Sequence, residues 1–108
     1  MEFNEYQKEA VKNKIYGYGD KIIYPALGLG NEAGEVQGKI KKILRDNDGV
    51  FTKENCKLIA DELGDTLWYI AALAEDIGYN LNDIASINIE KIKSRRERNV
   101  IQGSGDNR

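Results

Sequence analysis

Apolar residues recur at helical spacing through most of the chain, and the strict alternation of a half-buried strand is scarce. Four helices are predicted. The first spans about Glu5 to Ile15, with Phe3, Tyr6 and Ala10 on one side and Asn4 and Gln7 at the spacing of an N-cap and its partner. The segment Tyr16 to Tyr24 carries Gly17, Gly19 and Asp20 and reads as a loop, and Pro25 follows where prolines open helices. The second helix runs to about Arg45 on a stripe of Leu29, Ala33, Val36, Ile40 and Ile43, and Asp46-Asn47-Asp48-Gly49 forms a turn. Thr52 caps a third helix, which continues to Ile77 on the stripe Ile59, Leu63, Thr66, Ile70, Ala74 and Ile77, and Gly78 stops it. Asn80 or Asn82 caps the fourth helix, which fades near Val100.

Neither a repeat nor a domain boundary interrupts this pattern. The expectation is one all-α, four-helix bundle-like domain over residues 1–102. The tail 103–108 has no apolar residue and is expected to be mobile unless it docks. Trp68, Ala71 and Ala72 lie off the stripe of the third helix, which is therefore apolar on more than one side. A lone bundle of this length struggles to cover such a helix, so a homo-oligomeric interface is expected there.

Composition narrows the chemistry more than the fold. The chain of 108 residues has no histidine. That excludes Ser-His and Cys-His catalysis, zinc sites that use His, and Glu-x-x-His di-iron bundles. A single cysteine, Cys56, excludes an internal disulfide and fits a reducing, cytoplasmic setting. No apolar stretch reaches the length of a membrane span, and the first residues have no signal-peptide core. The net charge of -2 gives no general attraction to nucleic acid. The cluster Arg95, Arg96 and Arg98 is short and interrupted by Glu97, so RNA binding through it is a minor alternative.

Oxygen chemistry remains. Glu32 with Glu35, and Glu62 with Asp65, are i, i+3 pairs that each share a helix face. On a helical wheel both pairs flank the apolar stripe of their helix, so two antiparallel helices packed through the stripes bring four carboxylates together. Such acids repel unless a cation neutralises them, and hard oxygen donors without His or Cys suit Mg²⁺ or Mn²⁺. Either pair alone is ordinary solvated surface. Gly28, Gly34 and Gly64 beside them cost helix stability and point to close approach of another helix or a ligand. On the fourth helix Asn88, Lys91 and Arg95 form one row, which reads either as a solvated face or as a surface that meets phosphates.

The stretch Leu27-Gly28-Leu29-Gly30-Asn31-Glu32-Ala33-Gly34-Glu35-Val36, with Lys41 to Arg45 after it, resembles the MazG-like nucleotide pyrophosphohydrolases of the all-α NTP pyrophosphatase superfamily. So do Asp61-Glu62-Leu63-Gly64-Asp65-Thr66-Leu67-Trp68-Tyr69, the row Asn88, Lys91 and Arg95, and the terminal Gly103-Ser104-Gly105-Asp106-Asn107-Arg108, which is similar to the tail of short bacterial and phage members. Asn31 departs from relatives that often carry a small or acidic residue there. The resemblance implies that Glu32, Glu35, Glu62 and Asp65 bind Mg²⁺, with Mn²⁺ as an alternative, and form the catalytic quartet. It implies that Lys39, Lys42, Lys91 and Arg95 hold phosphates and that Tyr69 and Asn88 contact the nucleotide. It further implies a homodimer or homotetramer that converts a nucleoside triphosphate and water to the monophosphate and pyrophosphate, with a carboxylate such as Glu35 or Glu32 orienting the water. A catalytically silent helical oligomerisation module is the alternative function.

Overall fold

A computed structural model describes residues 1–108 as four α-helices without strands: α1 Phe3–Ala10, α2 Ile23–Asp46, α3 Lys53–Asp76 and α4 Leu81–Glu97. Short 3₁₀ turns, Val11–Asn13 and Tyr18–Asp20, lie between α1 and α2. The punctuation acts as the sequence predicts for the last two helices. Thr52 Oγ1 accepts the Asn55 amide at 3.1 Å, and Asn80 Oδ1 accepts the Asp83 amide at 2.9 Å. Gly78, at φ 85°, closes α3 while the Tyr79 amide reaches back to the Ala74 carbonyl at 2.8 Å.

The antiparallel pair α2–α3 is the backbone of the molecule. Its interface is rotated relative to the predicted stripes. On α2, Pro25, Leu29, Glu32, Val36, Lys39, Ile40 and Ile43 are at least partly buried, whereas Ala33 is exposed. On α3, Ile59, Glu62, Thr66, Tyr69 and Leu73 are at least partly buried, whereas Leu63 keeps 54% of its surface. Both faces turn toward the acids, which places Glu32 and Glu62 within the contact. Gly28 shows why the helices approach so closely there, since a Cβ at this position would lie only 2.2 Å from the ring of Tyr69. Gly34 and Gly64 face open space, so the expectation of close packing holds for one of the three glycines.

The other side of α3 is covered by α1 and the start of α4. Ala10, Ala71, Ala74 and Leu81 form the buried cluster, with Tyr6, Trp68, Ile70 and Ile84 packed against it. Trp68 Nε1 donates to the Ala10 carbonyl at 3.0 Å. Trp68, Ala71 and Ala72 are thus covered at least in part within the chain, so their position off the stripe is not a sign of an interface between copies. The reason is α1, whose short length hid its value as a cover for α3.

Asn4 and Gln7 also serve a different purpose from the capping pair expected of them. Glu2 stands at the start of α1 and makes no side-chain cap. Gln7 is buried and spans the α3–α4 junction: its Nε2 donates to the carbonyls of Ala71 and Tyr79 at 3.2 and 3.1 Å, and its Oε1 accepts the Leu81 amide at 3.1 Å. Asn4 Oδ1 accepts the Asn82 amide at 3.1 Å. One amide side chain thereby satisfies backbone groups that the end of α3 and the start of α4 leave free.

The loop before α2 is held by Asp76. Its carboxylate, 2% exposed, accepts Lys14 Nζ at 2.7 Å, the Tyr16 hydroxyl at 2.9 Å and the Ile22 amide at 2.9 Å. Burial alone would raise the Asp76 pKa, but these three donors and the Lys14 charge outweigh it and hold the carboxyl below its usual range. Ile22 sits at φ 72°, an unfavourable region for a β-branched residue, and Asp76 fixes its amide there. Tyr16 consequently stacks on Tyr24 at 5.0 Å, Tyr24 faces Tyr69 at 6.5 Å, and Tyr69 meets Trp68 edge-on at 4.9 Å. This aromatic line runs from the Asp76 anchor to the acidic side of the α2–α3 pair.

The C-terminal residues dock as well. Arg108 folds back and donates to the carbonyls of Val100, Ile101 and Gly105, and the Asp106 carbonyl accepts Arg95 Nη2 at 2.7 Å. With only 10 of 108 residues buried, the chain has a radius of gyration of 16.7 Å, against about 13 Å for a compact domain of this size. No helix is long and apolar enough to cross a membrane.

Candidate metal centre

Glu32 projects from the middle of α2, and Glu62 and Asp65 project from adjacent turns of α3. One carboxylate oxygen from each lies within 4.8 Å of the other two. Glu32 and Glu62 are half-buried and Asp65 is exposed, so the cluster has one open side. Glu35, the fourth predicted member, is exposed and stands outside this group, one turn further along α2. Its charge still reaches Glu32.

The electrostatics record the crowding. Burial, followed by the charges of Asp65 and Glu62, a hydrogen bond with Glu62 and the Glu35 charge, pushes the Glu32 pKa up. The only cation paired with the triad is Lys39, whose Nζ lies 3.9 Å from Glu62 Oε1. Three convergent acids against one lysine leave an excess of negative charge on hard oxygen donors. That donor set fits Mg²⁺ or Mn²⁺, which take carboxylate oxygens and complete their shell with water or phosphate.

Tyr69 borders the cluster one turn beyond Asp65. Burial raises its pKa first, then Tyr24, with the Glu32 and Asp65 charges adding to the shift. Tyr6 of α1 is also raised, by burial and then by the Asp65 charge. Lys39 and Lys42 line a cleft of about 410 Å³ toward the α2–α3 turn, together with Asp46, Asn47, Thr52 and Asn55.

The row on α4 stands apart. Asn88 borders an apolar groove with Leu67, Ile70 and Ile84. Lys91 and Arg95 pair with Asp106 of the tail, at 3.6 and 3.5 Å, and not with the acids of α2 and α3. The structure therefore brings together Glu32, Glu62, Asp65, Lys39 and Tyr69, keeps Glu35 and Lys42 at the rim, and leaves Asn88, Lys91 and Arg95 on a separate helix. Tyr6 and Tyr24 are neighbours of the centre that the sequence reading did not single out. Asp76 had a signal: an acid in the last turn of a helix opposes the helix dipole and needs donors from elsewhere.

A sequence profile described as the MazG nucleotide pyrophosphohydrolase domain matches residues 26–100, which includes all but the first turn of α2, the whole of α3 and α4, and every acid of the centre. The Gene 37 protein of Mycobacterium phage L5 is 46% identical over 114 aligned positions that cover 100% of both chains. No solved structure matches the chain significantly. With the match spanning well over half of the chain, the chain belongs to the MazG nucleotide pyrophosphohydrolase family.

Proposed function

We propose that this chain is a Mg²⁺-dependent nucleoside triphosphate pyrophosphohydrolase that cleaves an NTP or dNTP to the monophosphate and pyrophosphate. The observation that carries the reading is the convergence of Glu32, Glu62 and Asp65 within 4.8 Å, on a chain of this family. Mn²⁺ is the alternative metal.

Glu32, Glu62 and Asp65 would hold the ion, with the Glu35 charge nearby on the next turn of α2. Bound there, the ion supplies positive charge to the phosphate oxygens and acidity to water. Glu35 stands on the open rim, outside the triad, and is the carboxylate best suited to orient a water and accept its proton. Lys39 and Lys42 would offset negative charge growing on the leaving pyrophosphate. Tyr69 supplies a fixed wall beside the reacting end, and Asn88, Lys91 and Arg95 would reach the substrate from α4. No protein nucleophile is required.

The open fold supports assembly as a homodimer or homotetramer. Leu27, Leu44, Leu63, Ile87 and Ile89 are all more than half exposed, a large apolar area for a lone chain. This argument rests on a different set of residues from Trp68, Ala71 and Ala72. Light scattering should give a dimer or larger, and a clean monomer at micromolar concentration contradicts the assembly. We place the activity in the cytoplasmic nucleotide pool.

The decisive assay measures pyrophosphate release from each NTP and dNTP with Mg²⁺, with Mn²⁺ and with excess chelator. The expected result is monophosphate and pyrophosphate, with all activity lost to the chelator. Diphosphate and orthophosphate as products, or full activity in chelator, overturn the reading. Absence of turnover on the whole panel leaves the silent helical module.

A further inference from the structure

Lys91 and Arg95 are four residues apart on α4 and converge on one carboxylate. Lys91 Nζ lies 3.6 Å and Arg95 Nη2 3.5 Å from the same oxygen of Asp106. Two cations converging on one anionic oxygen can take an anion, and here the chain fills the place with its own residue. The two halves of the contact differ in kind. Arg95 is buried and takes the Asp106 main-chain carbonyl at the short distance of 2.7 Å, so its guanidinium is fixed by a neutral acceptor that does not consume its charge. The Asp106 carboxylate itself is 88% exposed, and both its ion pairs are long. Such a contact is weak and exchangeable.

The tail is built to present this residue. Arg108 makes three hydrogen bonds to carbonyls of Val100, Ile101 and Gly105, closing residues 100–108 into a loop. Gly103 and Gly105 take φ of 118° and 87°, which side chains resist, and a Cβ at Gly103 would press on Arg108 at 3.3 Å. Asp106 therefore arrives beside Lys91 and Arg95 from a folded loop and not from a loose end.

We infer that Lys91 and Arg95 form a polyphosphate site whose resting occupant is the Asp106 carboxylate, and that substrate phosphate displaces the carboxylate while the main-chain contact keeps Arg95 in place. The choice of phosphate as the entering anion rests on the pyrophosphohydrolase reading. The two-cation site and its internal occupant do not. Asp106 keeps Lys91 and Arg95 from repelling each other in the free protein and yields to an oxyanion of higher charge.

The test is calorimetric titration of the full chain with inorganic tripolyphosphate, without divalent metal, at low and at high salt. Asp106→Asn retains the main-chain acceptor for Arg95 and removes the competing charge. It should tighten tripolyphosphate binding by about threefold to tenfold at low salt, with the gain shrinking at high salt. Asp106→Ala should do the same, and Lys91→Gln should weaken binding. Unchanged or weaker binding in both Asp106 variants overturns the inference, as does a Lys91→Gln protein that binds like the wild type. A tail with a purely structural role would lower the melting temperature of the Asp106 variants and leave the affinity alone. The failures are separable: tighter binding without any triphosphate turnover retains this inference and removes the enzymatic reading, while metal-dependent turnover with indifferent Asp106 variants does the reverse.

Discussion

Two groups of carboxylates on the same helix have opposite fates. Asp76, near the end of α3, is buried and surrounded by the Lys14 ammonium, the Tyr16 hydroxyl and the Ile22 amide. Glu62 and Asp65, in the middle of α3, face Glu32 with Lys39 as their only cation. Both carboxylate oxygens at the first place have donors, and the Asp76 pKa falls. At the second place acids face acids, and the Glu32 pKa rises. The difference separates structure from function. A carboxylate that the fold satisfies holds the fold together, and carboxylates that the fold leaves in conflict await something from outside.

The largest effect should come from breaking the satisfied site. Asp76→Ala leaves Lys14 with only its longer contact to Glu75 and Ile22 strained, and should cost about 3 kcal/mol of stability, read by urea unfolding. A loss under about 0.5 kcal/mol would show that the anchor is dispensable. The acid limb gives the sign. A lowered folded pKa means that the Asp76 contribution is complete above the ordinary carboxylate value of about 4 and is lost as pH falls below it. Glu32 runs the other way. With its folded pKa raised, its favourable share is present at low pH and disappears as pH rises through the folded value, in the absence of metal. A metal-free stability curve should thus lose its acid-side slope in Asp76→Asn and gain alkaline-side stability in Glu32→Gln. Identical curves for the two variants would erase the distinction.

Glu62→Gln is next. It removes one of three converging charges and retains shape, so activity should fall by about 100-fold or more, roughly 2.7 kcal/mol of transition-state stabilisation. The metal-free melting temperature should hold or rise slightly, and added Mg²⁺ should raise it less than in the wild type. A structural Glu62 would give the reverse, a lower metal-free melting temperature with turnover intact. Gly28→Ala tests the link between the two regions, because Tyr69 occupies the space the new methyl needs. It should cost about 1–3 kcal/mol, measured by thermal unfolding, whereas neutrality would mean that the ring moves freely aside. The smallest effect is Gly34→Ala, with open space around it inside α2. A gain of about 0.5–1 kcal/mol is expected, and a loss would reveal a neighbouring chain packed there.

The comparison also marks what the sequence made legible. Helices two, three and four were readable because Thr52, Gly78, Asn80 and the turn after Asp46 are local signals acting within a few residues. The acid pairs were readable because i, i+3 spacing fixes a shared face. The exact contact face was not, because Glu32 and Glu62 count as polar and their inclusion rotates both interfaces away from Ala33 and Leu63. The roles of Gln7, Asp76, Trp68 and Asp106 depend on partners remote in the chain or across an irregular loop, where periodicity carries no information. Gln7 looked like a capping residue since its type and spacing fit one, and only the α3–α4 junction gives it a better set of partners.

That junction has a consequence for how a new chain acquires its shape during synthesis. α1 has eight residues, too few for a stable helix alone in water. Its anchors, the Ala71 and Tyr79 carbonyls, the Leu81 amide and the Trp68 indole, lie 58 to 74 positions downstream. The α2–α3 hairpin, by contrast, closes across a turn of a few residues and can form as soon as both arms have left the ribosome. α1 therefore docks only after the start of α4 has emerged, later than the α2–α3 hairpin that it covers.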